Sequence, residues 1–108
     1  MFDDEAFGRM KPSAIFVNTA RGAIVDEAAL HRALETHRIA GAAIDVAETE
    51  PLAKHDPLLR LPNLLVTPHI ASASVATRAR MADMAVDNLL AVLGGRRPEH
   101  CVNPQVLG

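Results

Sequence analysis

Arg21, Glu50 and His69 are the residues of this 108-residue chain best equipped for chemistry. Each follows a short apolar run that reads as a buried strand. Arg21 ends AIFVNTARG, Glu50 lies in GAAIDVAETEP, and His69 closes LLVTPHIAS. A histidine exchanges a proton readily near neutral pH. A carboxylate beside it stabilises the imidazolium and orients the ring, while a guanidinium can grip an anionic carboxylate through two parallel hydrogen bonds. At the carboxyl ends of neighbouring parallel strands the three would converge on one crevice, where open α/β sheets bind their ligands. Taken singly, Arg21 reads as a solvated surface cation and Glu50 as loop polarity before Pro51, and Asp45, at the end of the second apolar run, as a turn cap; His69 at a strand's carboxyl end has fewer plain readings. Their order and spacing together point to a site.

The elements that must position them alternate. A strand over about Ala14–Asn18 follows Lys11-Pro12-Ser13, which stops a short upstream helix. Asp26 is a good N-cap for a helix reaching about Thr36, with Leu30, Ala33 and Leu34 on one face and Glu27, Arg32 and Glu35 on the other. Gly41 leads a second strand, Ala42–Val46, whose continuous apolar run suits burial on both faces. A long loop then leads to a third strand, Leu64–Thr67, ended by Pro68. From about Ser74 to Leu93, Val75, Ala79, Ala82, Val86, Leu89 and Leu93 recur at helical steps, and Gly94-Gly95 ends the run. Strand–helix–strand alternation predicts parallel units with right-handed crossovers.

Composition narrows the function classes. The net charge of −2 comes without a basic block, so neither a nucleic-acid nor a membrane-surface partner is expected. No apolar run approaches a bilayer span, and the acidic opening MFDDEAFGRM has no signal-peptide core. Cys101 has no disulfide partner and reads as an incidental thiol, so a cytoplasmic setting is expected. His31, His37, His55 and His100 share no ligand spacing and read as surface residues, with no metal site expected. Met81 and Met84 read as packing.

Three strands are too few for a finished doubly wound sheet. The chain also lacks G-x-G-x-x-G and the acidic residue about 20 positions later that serve a dinucleotide's pyrophosphate and ribose. The expected fold class is therefore α/β, a partial Rossmann-type parallel sheet with flanking helices, completed by an N-terminal part absent here. In domain terms, residues 1–108 are expected to be the carboxyl-terminal half of a Rossmann-type domain, of the kind that binds NAD(P), with a tail over 95–108. Asp3, Asp4, Glu5, Phe7 and Met10 look like a helix internal to such a domain, which makes Met1 an expected internal methionine.

The runs NTARGAIVDEAALHRAL, IAGAAIDVAETEPL and NLLVTPHIASAS resemble the D-isomer-specific 2-hydroxyacid dehydrogenase family, most closely its glyoxylate/hydroxypyruvate reductase branch. The resemblance runs from about Met10 to Pro104, and the separations of 29 positions from Arg21 to Glu50 and 19 from Glu50 to His69 are typical of it. Departures are His37 where glycine is frequent, Ala47 for a common aromatic, and Ala71-Ser72 for Gly-Ser.

The resemblance implies NAD or NADP as cofactor and a small 2-keto or 2-hydroxy acid as substrate. It implies Arg21 as the substrate anchor, with Glu50 and His69 as the proton-donating pair. Asp45 is implied to meet the nicotinamide carboxamide, with Thr19, Ala20, Ala71 and Ser72 lining the cofactor beside Arg21 and His69. A chain of this extent is expected to show little activity alone, and a homodimer or a complementing chain would supply partners. Two alternatives stand beside the oxidoreductase: a non-catalytic truncated remnant, and a nucleotide-gated protein-interaction module.

Overall fold

The computed structural model describes residues 1–107 and divides the chain into two compact units, Met1–Ala71 and Ser72–Gly108. The first holds a three-stranded parallel sheet in the order β1-β2-β3, formed by β1 (Ile15–Asn18), β2 (Gly41–Ile44) and β3 (Leu64–Val66). Register runs Ile15 to Gly41 and Asn18 to Ile44 on one side of β2, and Ala42 to Leu64 and Ile44 to Val66 on the other. The three strands therefore end nearly level, and the segments leaving them start from one edge.

Helices α1 (Asp4–Gly8) and α2 (Glu27–Glu35) accompany the sheet. α2 starts where expected because the Asp26 carboxylate accepts a hydrogen bond from Ala29 N at 2.9 Å, capping an otherwise unpaired amide. Its predicted apolar face is the buried one: Ala29, Leu30, Ala33 and Leu34 join Phe7, Phe16, Ile39, Ala42, Ile44 and Leu58 in one core. Leu30 and Leu34 are essentially inaccessible, and burial of each stabilises the unit by about 1.5–3 kcal/mol. The chain's three aromatic rings meet there as well, with centroids 5.0 Å apart for Phe2–Phe16, 5.3 Å for Phe7–Phe16 and 6.4 Å for Phe2–Phe7. On the polar side of α2, Arg32 bonds both oxygens of Asp4 at 3.0 and 2.6 Å, tying α2 to α1.

α2 ends in a Schellman turn. Arg38 N donates to Ala33 O at 2.8 Å and His37 N to Leu34 O at 3.1 Å, with His37 in the left-handed region at φ 52°. That backbone is the physical reason why glycine suits position 37.

β2 is covered almost throughout, as its unbroken apolar run suggests, but the flanking strands are not. In β1, Phe16 and Asn18 point into the core while Ile15 and Val17 are about two-thirds exposed, and Leu65 of β3 is equally open. The period-2 alternation of strands puts these three on the face away from the core.

In the second unit, α3 (Val75–Leu93) is capped by Ser74, whose hydroxyl oxygen accepts from Thr77 N at 3.1 Å. It too ends in a Schellman turn, with Arg96 N donating to Ala91 O at 2.8 Å and Gly95 at φ 68°. The apolar stripe read from its sequence is unburied: Val75, Ala79, Ala82, Val86, Leu89 and Leu93 are all exposed, and the helix's buried residue, Ala91, lies off that stripe. Met81 is exposed as well, so the packing expected of it is not found. Helical periodicity identifies a face able to be buried, not a surface that buries it. No helix among the described residues is long and apolar enough to cross a membrane.

Candidate active site

The segment leaving β1 is shaped by Asn18. Its buried side chain accepts from Ala20 N at 3.0 Å and donates to Arg21 O at 2.9 Å, folding Thr19–Arg21 into a tight turn. Arg21 is extended and exposed, and its guanidinium donates to Ala20 O at 2.6 Å. Gly22 then passes against the segment leaving β2. A Cβ there would lie 2.0 Å from both C and O of Ala47 and 2.3 Å from Glu48 N. Only glycine permits this approach.

Asp45, immediately after β2, is 5% exposed. Its carboxylate accepts from Thr67 Oγ1 at 2.5 Å, Ile70 N at 2.9 Å and Ala71 N at 2.8 Å. The Thr67 hydroxyl first, and then the two amides, hold its pKa below the ordinary carboxylate range against the opposing effect of burial. Backbone bonds reinforce the junction: Asp45 N donates to Asn18 O, Thr67 N to Ile44 O and His69 N to Asp45 O, each at 2.9 Å. The segment after β3 is thereby fastened to the end of β2.

His69 sits on that segment at φ 54°. Its Nδ1 is 2.7 Å from Glu50 Oε2, and Glu50 Oε1 accepts from Ala47 N at 3.0 Å. The imidazole, followed by the Ala47 amide, lowers the Glu50 pKa, so the carboxylate is ionised at neutral pH. Assigning the Nδ1 hydrogen to the carboxylate side leaves Nε2 as the nitrogen able to face a ligand. The peptide between Glu50 and Pro51 is cis. Asp45, Val46, Glu50, Leu59, Val66 and His69 wall a cleft of about 530 Å³.

Three sequence-expected residues thus come together: Asp45, Glu50 and His69. Ala71 joins them through its amide, while Thr19, Ala20 and Arg21 form the exposed turn after β1 and lie outside the cleft wall. Ser72 belongs to the second unit, where it is half-buried. Two contributors were not singled out from the sequence, Asn18 and Thr67. An asparagine ending an apolar run before a turn is a recognisable signal for the first. Thr67 carries no local signal, since its partner lies 22 positions away. Among the described residues no cluster of three His, Cys, Asp or Glu side chains could hold a metal ion.

Parallel strands whose carboxyl ends carry a histidine–carboxylate pair over a cleft have the arrangement of a ligand-binding α/β unit. Residues 1–71 match the family described as D-isomer specific 2-hydroxyacid dehydrogenase, NAD binding domain, and the chain belongs to that family. It is 53% identical over 106 residues to the glyoxylate/hydroxypyruvate reductase B of Klebsiella pneumoniae subsp. pneumoniae, covering 98% of this chain and 33% of the relative. Among solved structures, a D-isomer specific 2-hydroxyacid dehydrogenase from Xanthobacter autotrophicus Py2, in complex with NADPH and MES, shares 38% identity at a TM-score of 0.80. That match covers 99% of this chain and 43% of the other. An NADPH-dependent glyoxylate/hydroxypyruvate reductase from Sinorhizobium meliloti, in complex with NADP and malonate, shares 46% identity at a TM-score of 0.73, over 82% of this chain and 28% of the other. The chain spans about a third of the length of the curated relatives it matches.

Proposed function

We propose that this chain is the proton-donating part of an NAD(P)H-dependent reductase of small 2-keto acids, of the glyoxylate or hydroxypyruvate type. The observation that carries the proposal is the 2.7 Å pairing of His69 Nδ1 with Glu50 on a segment locked to the end of β2. His69 Nε2 gives its proton to the carbonyl oxygen of the keto acid, and Glu50 steadies the imidazolium before that transfer. Arg21 anchors the substrate carboxylate once its guanidinium leaves the Ala20 carbonyl. A nicotinamide cofactor, when bound, would supply the hydride for the carbonyl carbon, so that with the proton from His69 the product is a 2-hydroxy acid.

The residues present fit the nicotinamide end of such a cofactor. A carboxylate offers about four acceptor positions, and Thr67, Ile70 and Ala71 fill three at Asp45, leaving one for the amide of the nicotinamide. Thr19, Ala20, Ala71 and Ser72 are the further candidates to line it. No G-x-G-x-x-G turn occurs in the sequence, so the phosphates are held by residues outside it, in a longer protein or a complementing chain. The reducing cytoplasm suits its single thiol.

The test grafts residues 1–108 into the matching third of the Klebsiella relative and follows glyoxylate-dependent oxidation of NADPH. The graft should turn over, and the isolated chain should show little or none. His69→Ala in the graft should lower kcat by about 10²–10⁴-fold, the range of a lost general acid. A His69→Ala graft with undiminished kcat would overturn the proposal.

A further inference from the structure

His69 is held where a residue other than glycine seldom stays unless its surroundings over-determine it. Packing does not hold it, since Pro68, His69, Ile70 and Ala71 are all exposed. Hydrogen bonds do. The Asp45 carboxylate takes the amides of Ile70 and Ala71, the two residues directly after His69, at 2.9 and 2.8 Å. It also takes the Thr67 hydroxyl, two residues before, at 2.5 Å. A buried acceptor thus grips the turn on both sides of the imidazole, and the Asp45 carbonyl takes the His69 amide at 2.9 Å.

We infer that Asp45 and Thr67 form a clamp that fixes the left-handed turn at His69 and so aims the imidazole at Glu50. They are positioning residues for proton donation, a role separate from any meeting of Asp45 with the cofactor. The kinetic consequence rests on the reading of His69 as proton donor given above; the structural one does not. An imidazole released from this turn loses its 2.7 Å partner, and a reacting group misplaced by about 1 Å costs on the order of 10²-fold in rate.

Thr67→Val keeps the side chain's shape and removes the hydroxyl; Thr67→Ser restores it; Asp45→Asn weakens all three bonds. In the 108-residue chain, NMR couplings and carbon shifts at residue 69 report the sign of φ, the His69 Nδ1 shift reports its pairing with Glu50, and amide exchange follows Ile70 and Ala71. Thr67→Val and Asp45→Asn should move residue 69 out of the left-handed region. They should also speed exchange of the two amides by roughly tenfold or more, the expected scale for bonds to a charged acceptor. Thr67→Ser should match the wild type.

In the grafted reductase, Thr67→Val should lower kcat and leave the KM for NADPH unchanged. An unaltered residue 69 in both altered chains overturns the clamp, as does a wild-type chain with random-coil shifts there. A raised NADPH KM in Asp45→Asn, with Thr67→Val silent in every readout, would leave Asp45 as a cofactor contact alone. An inactive wild-type graft would count against the reductase reading, while the NMR results still decide the clamp.

Discussion

Replacing Gly22 by alanine should separate the segments that leave β1 and β2. The added Cβ would stand 2.0 Å from two backbone atoms of Ala47 and 2.3 Å from Glu48 N, where ordinary contact begins at 3.4 Å. The obstruction is backbone, so no side-chain rotation relieves it, and one segment must retreat by more than about 1 Å. Overpacking typically costs about 1–3 kcal/mol, and a backbone-on-backbone clash belongs at or above the upper end. The displaced segment also carries Ala47 N, which Glu50 accepts at 3.0 Å, and Glu48 N, which Glu27 accepts at 2.6 Å.

Gly8→Ala is the matched control, because nothing lies within 4 Å of its added Cβ and Gly8 closes α1 in a helical conformation. That change should be neutral or stabilising by about 0.4–1 kcal/mol through the unfolded chain. Urea unfolding of both variants reads the contrast. With a denaturant slope of about 1–3 kcal/mol/M, Gly22→Ala should lower the midpoint by roughly 1 M or more. A Gly22→Ala midpoint within the error of the wild type, or one no lower than that of Gly8→Ala, would refute the close approach and with it the account of how Glu50 is placed.

His37→Gly should stabilise the first unit by about 0.5–1 kcal/mol: a left-handed non-glycine residue costs about 1–2 kcal/mol, and glycine returns part of that in unfolded-state entropy. A melting temperature at or below that of the wild type would contradict this. Asp45 and Glu50 titrate below their ordinary values in the folded chain, so the stability they contribute is fully present above about pH 5 and is lost as pH falls through the lower folded values. Urea midpoints measured from neutral pH into acid should therefore fall less steeply for Asp45→Asn than for the wild type, and parallel curves would exclude Asp45 as a contributor. In the grafted reductase, Arg21→Ala should chiefly raise the KM for the keto acid, whereas Glu50→Ala should chiefly lower kcat. A normal KM in Arg21→Ala would remove Arg21 from the substrate anchor.

Local signals made much of this legible in advance. Asp26 caps its helix where its position suggested, the last helix begins beside Ser74 as its periodicity indicated, and the Leu30, Ala33, Leu34 face is the buried one. The strands fall within one or two residues of their expected ends, because β propensity and flanking turn residues are properties of short windows. What stayed hidden was non-local or concerned backbone sign. No residue type announces φ 54° at His69. Asp45 reads as a turn cap from its neighbours, yet its partners lie 22 to 26 positions downstream. The exposed Ile15, Val17 and Leu65 follow from which surfaces a sheet meets, which an apolar run cannot specify.

The two left-handed non-glycine residues make the same point from opposite sides. His37 and Gly95 occupy equivalent positions of equivalent Schellman turns, at φ 52° and 68°. At 95 the backbone meets no steric objection; at 37 the fold overrides one with a pair of helix-terminal hydrogen bonds, and no other partner is held by the strain. His69 bears the same kind of strain, but its turn is held by a buried carboxylate and the result is an imidazole aimed at Glu50. Glycine at 37 should therefore relieve the chain, whereas glycine at 69 would relieve the backbone and remove the imidazole that pairs with Glu50. The geometry of the pair depends on the β2–β3 register, Asp45 and the Gly22 approach, all within residues 18–71. No step in placing His69 against Glu50 requires the phosphate-binding turn, which is why a chain spanning a third of its relatives' length can hold the pair in register.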